Sequence, residues 1–207
     1  MPFSSTTKEY QAIPRGFTLV ETLVAVSILL VVIIGPMTIA QKGMQNSYFA
    51  GEQTTAVYLA QEAIEHIQQL RDDTALAEYG NGANSGDTWN WYSALPVASC
   101  RNPGSNGGCD VDFINGGFRN CNTASSCLLR FDTSASPGTR IYGYGAGWSN
   151  SLYTRRIVVG APIQIGGVDA GVPVTVTVSW STELFSSGGT RTVTLQTYVY
   201  DHYSRFE

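Results

Sequence analysis

Charge is scarce in this chain. Of its 207 residues, 14% are Asp, Glu, Lys or Arg, histidine occurs only twice, and the formal net charge is −4. A mildly acidic balance supplies no basic stripe for a phosphate backbone, so nucleic acid is not expected as a partner. The short sequences on which common catalytic sites are built are absent too. There is no G-x-S-x-G turn, no H-E-x-x-H pair and no glycine loop ahead of a helix to cradle phosphate. His66 stands in a helix-periodic stretch, and His202 follows Asp201, an adjacency that does not make a triad. The residues predict no catalytic group, no cofactor and no enzyme.

Metal-binding cysteine spacing is missing as well. Cys100, Cys109, Cys121 and Cys127 contain no C-x-x-C pair and have no histidine nearby, so zinc is not expected. All four fall in a polar, glycine-rich window, and an even count in an exported chain reads as two disulfides with three possible connectivities. Sequential pairing, Cys100 with Cys109 and Cys121 with Cys127, is expected because each closes a short local loop. In the chain-entropy model each bridge contributes roughly 2–3 kcal/mol. Asp110, Asp112 and Asn115 offer oxygens at close spacing but depart from the EF-hand order, so they read as solvated loop residues.

What the chain does have is one long apolar run. From Phe17 to Ala40 the only charged residue is Glu21. At about 1.5 Å per residue such a helix covers a hydrocarbon core of about 30 Å, so a single span is expected. Lys8 and Arg15 before the run against Lys42 after it favour a cytoplasmic amino terminus. A charge at the bilayer centre costs about 2.5–3.5 kcal/mol, less near a helix end, so Glu21 requires a reason. A plain signal-anchor accounts for the run without the glutamate. So does a secretory signal with its apolar core at Thr22–Ile34 and a small-x-small cleavage site at Thr38-Ile39-Ala40.

The words Arg15-Gly16-Phe17-Thr18-Leu19-Val20-Glu21 resemble the processing site of type IV pilins and type II secretion pseudopilins. The resemblance implies cleavage by prepilin peptidase between Gly16 and Phe17, and N-methylation of the new amino-terminal Phe17. It implies that Glu21 guides assembly by meeting the amine of a neighbouring subunit, and that the position is not the filament tip, where this glutamate is often missing. Gly35-Pro36 interrupts the run, and a kink or melted turn is expected there. The same filaments resemble this chain in carrying helix-breaking residues in that region. The stretch Tyr58-Leu59-Ala60-Gln61-Glu62-Ala63 is also similar to a recurrent one in prepilin-like proteins.

Beyond Ala40, Val57, Ala60, Ile64, Ile67 and Leu70 recur at helical steps, and Asp72-Asp73-Thr74 followed by the Gly/Asn-rich stretch from Gly80 is expected to end that helix, at about Arg71. Residues 74–136 show no sustained period and carry turn signals such as Asn115-Gly116-Gly117. Trp89, Trp91 and Tyr92 within them read as a small satellite core. Val172, Val174, Val176, Val178 and Trp180 alternate with polar partners, the clearest strand in the chain, and Thr190–Tyr200 is expected to pair with it. Arg155–Ile163 supplies a third strand and Arg140–Tyr144 a fourth. A sheet with one apolar face needs a cover, and the Val57–Leu70 stripe is the available one.

The expected class is therefore α+β, a long amino-terminal helix packed on a carboxy-terminal antiparallel sheet. Its segments are a leader (1–16), a transmembrane half-helix (17–40), an amphipathic half-helix (41–73), a disulfide-stapled loop region (74–136) and the sheet (137–207). The resemblance implies a minor pilin or pseudopilin, held in the inner membrane before assembly and in a periplasmic or extracellular filament afterwards. Its partners would be other pilin subunits and prepilin peptidase. The alternative is a secreted or membrane-anchored β-rich binding or adhesion protein with an ordinary signal sequence.

Overall fold

The computed structural model describes residues 16–80, 92, 98–101, 107–123, 125–134, 140–181 and 189–200. Residues 1–15, Trp89, Trp91 and Asp201-His202 lie outside them. The chain divides into two compact units, Met1–Ala50 and Gly51–Glu207, and helix α1 (Leu19–Gly80) contributes to both.

In the first unit α1 is an apolar stem. Its leucine, valine and isoleucine side chains are exposed all round, from Leu23 to Ile39. Many are β-branched and would be middling helix formers in water, but in an apolar medium a helix is the single-chain conformation that satisfies every backbone group internally. At Gly35-Pro36, where a kink or a melted turn is expected, α1 continues as helix through Pro36. A proline deletes one bond, here the one the Val32 carbonyl would accept, and the turns on either side keep theirs. Thr38 Oγ1 donates to the Gly35 carbonyl at 2.8 Å beside the gap.

In the second unit α1 lies on the inner face of an antiparallel sheet. The strands are β1 (Cys109–Val111), β2 (Phe118–Asn120), β3 (Leu128–Phe131), β4 (Tyr142–Gly143), β5 (Ser149–Val159), β6 (Ile163–Ile165), β7 (Val168–Ser181) and β8 (Thr190–Tyr200), with a short helix α2 (Ala98–Arg101) before them. β7 is central. It pairs with β8 from Gly171↔Tyr200 to Ser181↔Thr190, and on its other side with β5 and then β6. β5 in turn carries β3 and β1, which carry β4 and β2. The alternation of β7 is explained by its burial: Val172, Val174, Val176 and Val178 are fully buried, with Thr175, Thr177 and Ser179 half-exposed on the other face. The expected strand Arg155–Ile163 proves to be two. β5 begins earlier, at Ser149, and ends at Val159; Pro162 cannot donate to a ladder, and Gly160 N–H turns to the Pro173 carbonyl at 2.8 Å. Gly166 and Gly167, with φ of 63° and 85°, make the tight β6–β7 turn that only left-handed residues fit.

Three other boundaries differ from the sequence reading. The helix does not end at Asp72-Asp73-Thr74 but runs to Gly80, because Ala75 is buried and Arg71 and Thr74 are locally satisfied, by Asp72 at 2.7 Å and the Leu70 carbonyl at 2.6 Å. The region read as loop supplies β1, β2 and β3, strands of three or four residues and too short to show a period. The helix face on the sheet is centred on Ala56, Leu59, Ala60, Ala63 and Ile67, while Val57, Ile64 and Leu70 flank it half-buried. Alanine at the centre lets the helix axis approach the sheet, which a reading weighted to large side chains underrates.

Candidate functional site: the amino-terminal segment and its head anchor

Gly16, Phe17 and Thr18 precede the helix, and Thr18 caps it. The Glu21 N–H donates to Thr18 Oγ1 at 3.3 Å, and the Thr22 N–H to the Thr18 carbonyl at 3.2 Å. Thr18-x-x-Glu21 is the spacing of a capping box, and an acid in the first turn also complements the helix dipole. The Thr18 cap was written in the Thr-x-x-Glu spacing, which the sequence reading overlooked, and the Glu21 carboxylate stands in the first turn. Between Thr22 and Ala40 the other polar side chains are turned back on their own backbone. Thr22 Oγ1 donates to the Leu19 carbonyl at 2.9 Å, Ser27 Oγ to the Leu23 carbonyl at 2.8 Å, and Thr38 to Gly35 as above. Phe17 is 79% exposed, and α1 is long and apolar enough to cross a membrane. From Leu19 to Ala40 the stem therefore presents mainly hydrocarbon, plus one carboxylate near its start.

The cysteines stand as two pairs in the head. Cys100 faces Cys109 with Cα atoms 4.7 Å apart, and Cys121 faces Cys127 at 5.3 Å, both bridged and all four residues buried. Gly108, at φ 124°, sits under Ile157 and Arg156 so closely that a Cβ would lie 2.8 Å from the Ile157 carbonyl oxygen, which fixes how β1 enters the sheet. Tyr92 lies under the Arg101 guanidinium, 3.7 Å from its ring centre, and donates to the Gly160 carbonyl at 3.4 Å.

The head is anchored by a residue the sequence reading did not single out. Arg155, on the inner face of β5, is fully buried. It donates from Nε to Asp110 Oδ1 at 2.6 Å, from Nη1 to Glu62 Oε2 at 2.7 Å and the Leu59 carbonyl at 3.2 Å, and from Nη2 to the Val111 carbonyl at 3.3 Å. The Tyr144 hydroxyl donates to Asp110 Oδ2. Asp110 is therefore not the solvated loop carboxylate expected but a fully buried partner on β1. Asp112 does remain at the surface, where it accepts from the Ile114 and Asn115 N–H groups, each at 3.1 Å.

Burial pushes the Asp110 carboxyl above its ordinary value, against the pull of Arg155 and Tyr144. For Arg155, burial alone would lower the guanidinium, but Asp110 and then Glu62 outweigh it and hold it above its ordinary value. Nearby, burial and then Arg155 lower His66, whose ring meets Phe113 edge-on at 5.0 Å. The signal for Arg155 was its parity, since it shares a face with Tyr153, Ile157 and Val159. The start of the helical segment in this unit is fixed in a related way: Trp180 Nε1 donates to Glu52 Oε2 at 3.1 Å and the Tyr153 hydroxyl to the Glu52 carbonyl at 3.2 Å.

Residues 14–35 match the family model of the prokaryotic N-terminal methylation motif. The match takes in Gly16, Phe17, the Thr18 cap and Glu21, and it supports a type IV pilin-like protein with a prepilin-type amino terminus. No curated protein and no solved structure matches the chain.

Proposed function

We propose that the protein is a structural subunit, a minor pilin or pseudopilin, of a type IV pilus-like or type II secretion filament, with no catalytic role of its own. The observation that carries this reading is the methylation motif at residues 14–35 leading directly into an exposed apolar stem with a single acid, Glu21. Prepilin peptidase would cut between Gly16 and Phe17, and Phe17 would then be methylated. Before assembly the stem anchors the chain in the inner membrane with the leader in the cytoplasm; afterwards it packs among the stems of other subunits. Cleavage leaves a cationic amine on Phe17, and in a bundle of staggered parallel helices that amine can meet Glu21 of a neighbour, so that each relieves the other's cost in a low dielectric.

Substitutions at Glu21 give this pairing a sharp test. Glu21→Ala removes the charge and the polar side chain, whereas Glu21→Gln removes the charge and keeps a side chain suited to the third position of a capping box. Both variants are expected to be processed normally and to enter filaments at least about tenfold less than the parent, as the loss of a buried charge pair requires. Quantitative immunoblotting of sheared filaments against membrane fractions measures this. Full incorporation of Glu21→Gln would remove the pairing mechanism.

A further inference from the structure

Asn-Gly occurs at Asn81-Gly82, Asn106-Gly107 and Asn115-Gly116, and the last pair lies wholly among the described residues, in the turn from β1 to β2. The pair matters chemically because glycine has no Cβ to shield its backbone nitrogen. That nitrogen can attack the side-chain carbon, Cγ, of the asparagine before it. Asn115 and Gly116 are both exposed, and nothing lies within 4 Å of where a Cβ would stand on Gly116. Water and base therefore reach both reacting groups.

The same turn holds the asparagine back. Asn115 Nδ2 donates to Asp112 Oδ2 at 2.8 Å, while the backbone N–H groups of Ile114 and Asn115 donate to Oδ1 of that carboxylate, each at 3.1 Å. The Asp112 N–H closes the turn on the Gly117 carbonyl at 2.9 Å. Ring closure between Cγ and the next nitrogen requires the Asn115 side chain to leave its staggered well and swing toward Gly116, which breaks its bond to Asp112. We propose that Asn115 is a self-modification site, converted to aspartate or isoaspartate through a cyclic imide, and that Asp112 is the positioning residue that restrains it in the folded head.

The Gly116 nitrogen loses its proton and bonds to Asn115 Cγ; the Cγ–Nδ2 bond breaks, and Nδ2 leaves as ammonia with that proton. Water then adds across the imide. Opening at Cγ gives aspartate, and opening at the backbone carbonyl gives isoaspartate, in which the chain runs through the side chain; in both, a proton of the water returns to the Gly116 nitrogen. The aspartate sets a carboxylate where Nδ2 donated, facing that of Asp112, and like charges so placed repel. The isoaspartate lengthens the turn by a methylene. Neither product remakes the original turn, so the change is one-way, and it falls beside β1, the strand that brings Asp110 to Arg155.

The test keeps the full chain folded in detergent at neutral pH and follows residues 112–117 by peptide mass spectrometry, with fragmentation that tells isoaspartate from aspartate. A synthetic peptide of the same sequence is the unrestrained reference. Conversion at Asn115 is expected to be about tenfold slower in the folded chain than in the peptide, and Asp112→Ala is expected to recover most of that factor, the scale of lost hydrogen bonds to a charged acceptor. The same substitution in the peptide is expected to change nothing, which separates restraint by the fold from an effect of sequence. Amide exchange in β5 and β7 equal to the parent's shows that the variant head is folded. Asp112→Asn, which keeps one acceptor oxygen, is expected to fall between and serves where alanine unfolds the head. Asn115→Asp, the product made directly, is expected to speed amide exchange across residues 112–117 by about tenfold. An unchanged rate in the folded Asp112 variants, or a folded parent that converts as fast as the peptide, would overturn the restraint. No conversion in any folded chain after the peptide has reacted fully would remove the site, and unchanged turn exchange in Asn115→Asp would remove its one-way consequence. None of these readouts depends on cleavage or filament assembly, so the Asn115 proposal can fail while the pilin reading stands.

Discussion

Replacing Arg155 with alanine is expected to destabilise the head by about 3–5 kcal/mol, the cost of leaving a buried charge without its partner. The size follows from what one guanidinium holds together: Asp110 on β1, Glu62 and the Leu59 carbonyl on α1, and the Val111 carbonyl. Removing it leaves Asp110 buried, with Tyr144 and the Val111 N–H as its remaining hydrogen-bond donors. Chemical denaturation followed by tryptophan fluorescence checks this, since Trp180 lies against Glu52 at the start of the helical segment in the head. A loss below about 1 kcal/mol, the level of an exposed ion pair, would show that the network does not anchor the head. Because the folded head raises the Asp110 carboxyl, it holds that proton more readily than the unfolded chain. The contribution of this group to stability is thus greatest below the ordinary carboxylate range and is lost as pH rises through the raised value.

Replacing Cys100 and Cys109 together by alanine is expected to cost about 3 kcal/mol or more, against about 2 kcal/mol for Cys121 with Cys127. Loop entropy alone would make the two bridges nearly equal, because their sequence separations are 9 and 6. The difference is where they end. Cys109 lies in β1, next to Asp110, and a β1 that is free to leave the sheet takes the principal partner of Arg155 with it. Neighbouring sites that share an element do not add, so combining Arg155→Ala with the Cys100 and Cys109 substitutions is expected to cost less than the sum. Strict additivity, measured by the same denaturation, would separate the bridge from the network.

The long elements were legible in the sequence, and the short ones were not. The stem could be read because an apolar run with one acid has few meanings, and β7 with β8 because each sustains a period of two over many residues. β1, β2 and β3 could not, since three or four residues set no period and their place comes from pairing with β5 and with one another. The helix stripe was found, but its centre was displaced toward Val57 and Ile64, because alanine signals burial weakly though it permits close approach. At Pro36 the helix continues, since one missing bond does not end a helix in an apolar medium. The cysteine pairing was readable from loop length, and the buried pairs at 4.7 and 5.3 Å fit it.

At the site, Gly16-Phe17 and Glu21 were recognisable as a motif, whereas the Thr18 cap became evident only with the helix start in view. Arg155 and Asp110 were hidden for a physical reason. A charged residue is assigned to water by default, and only the register of β5 shows that Arg155 rather than Arg156 points inward.

The central claim is that this chain is processed as a prepilin, and the amino terminus of the mature protein tests it most directly. Mass spectrometry with amino-terminal sequencing of protein from the producing cell is predicted to find a chain beginning at Phe17 with a methylated amine. A chain beginning at Gln41, after the alternative small-x-small site, or one retaining residues 1–16 intact, would contradict it.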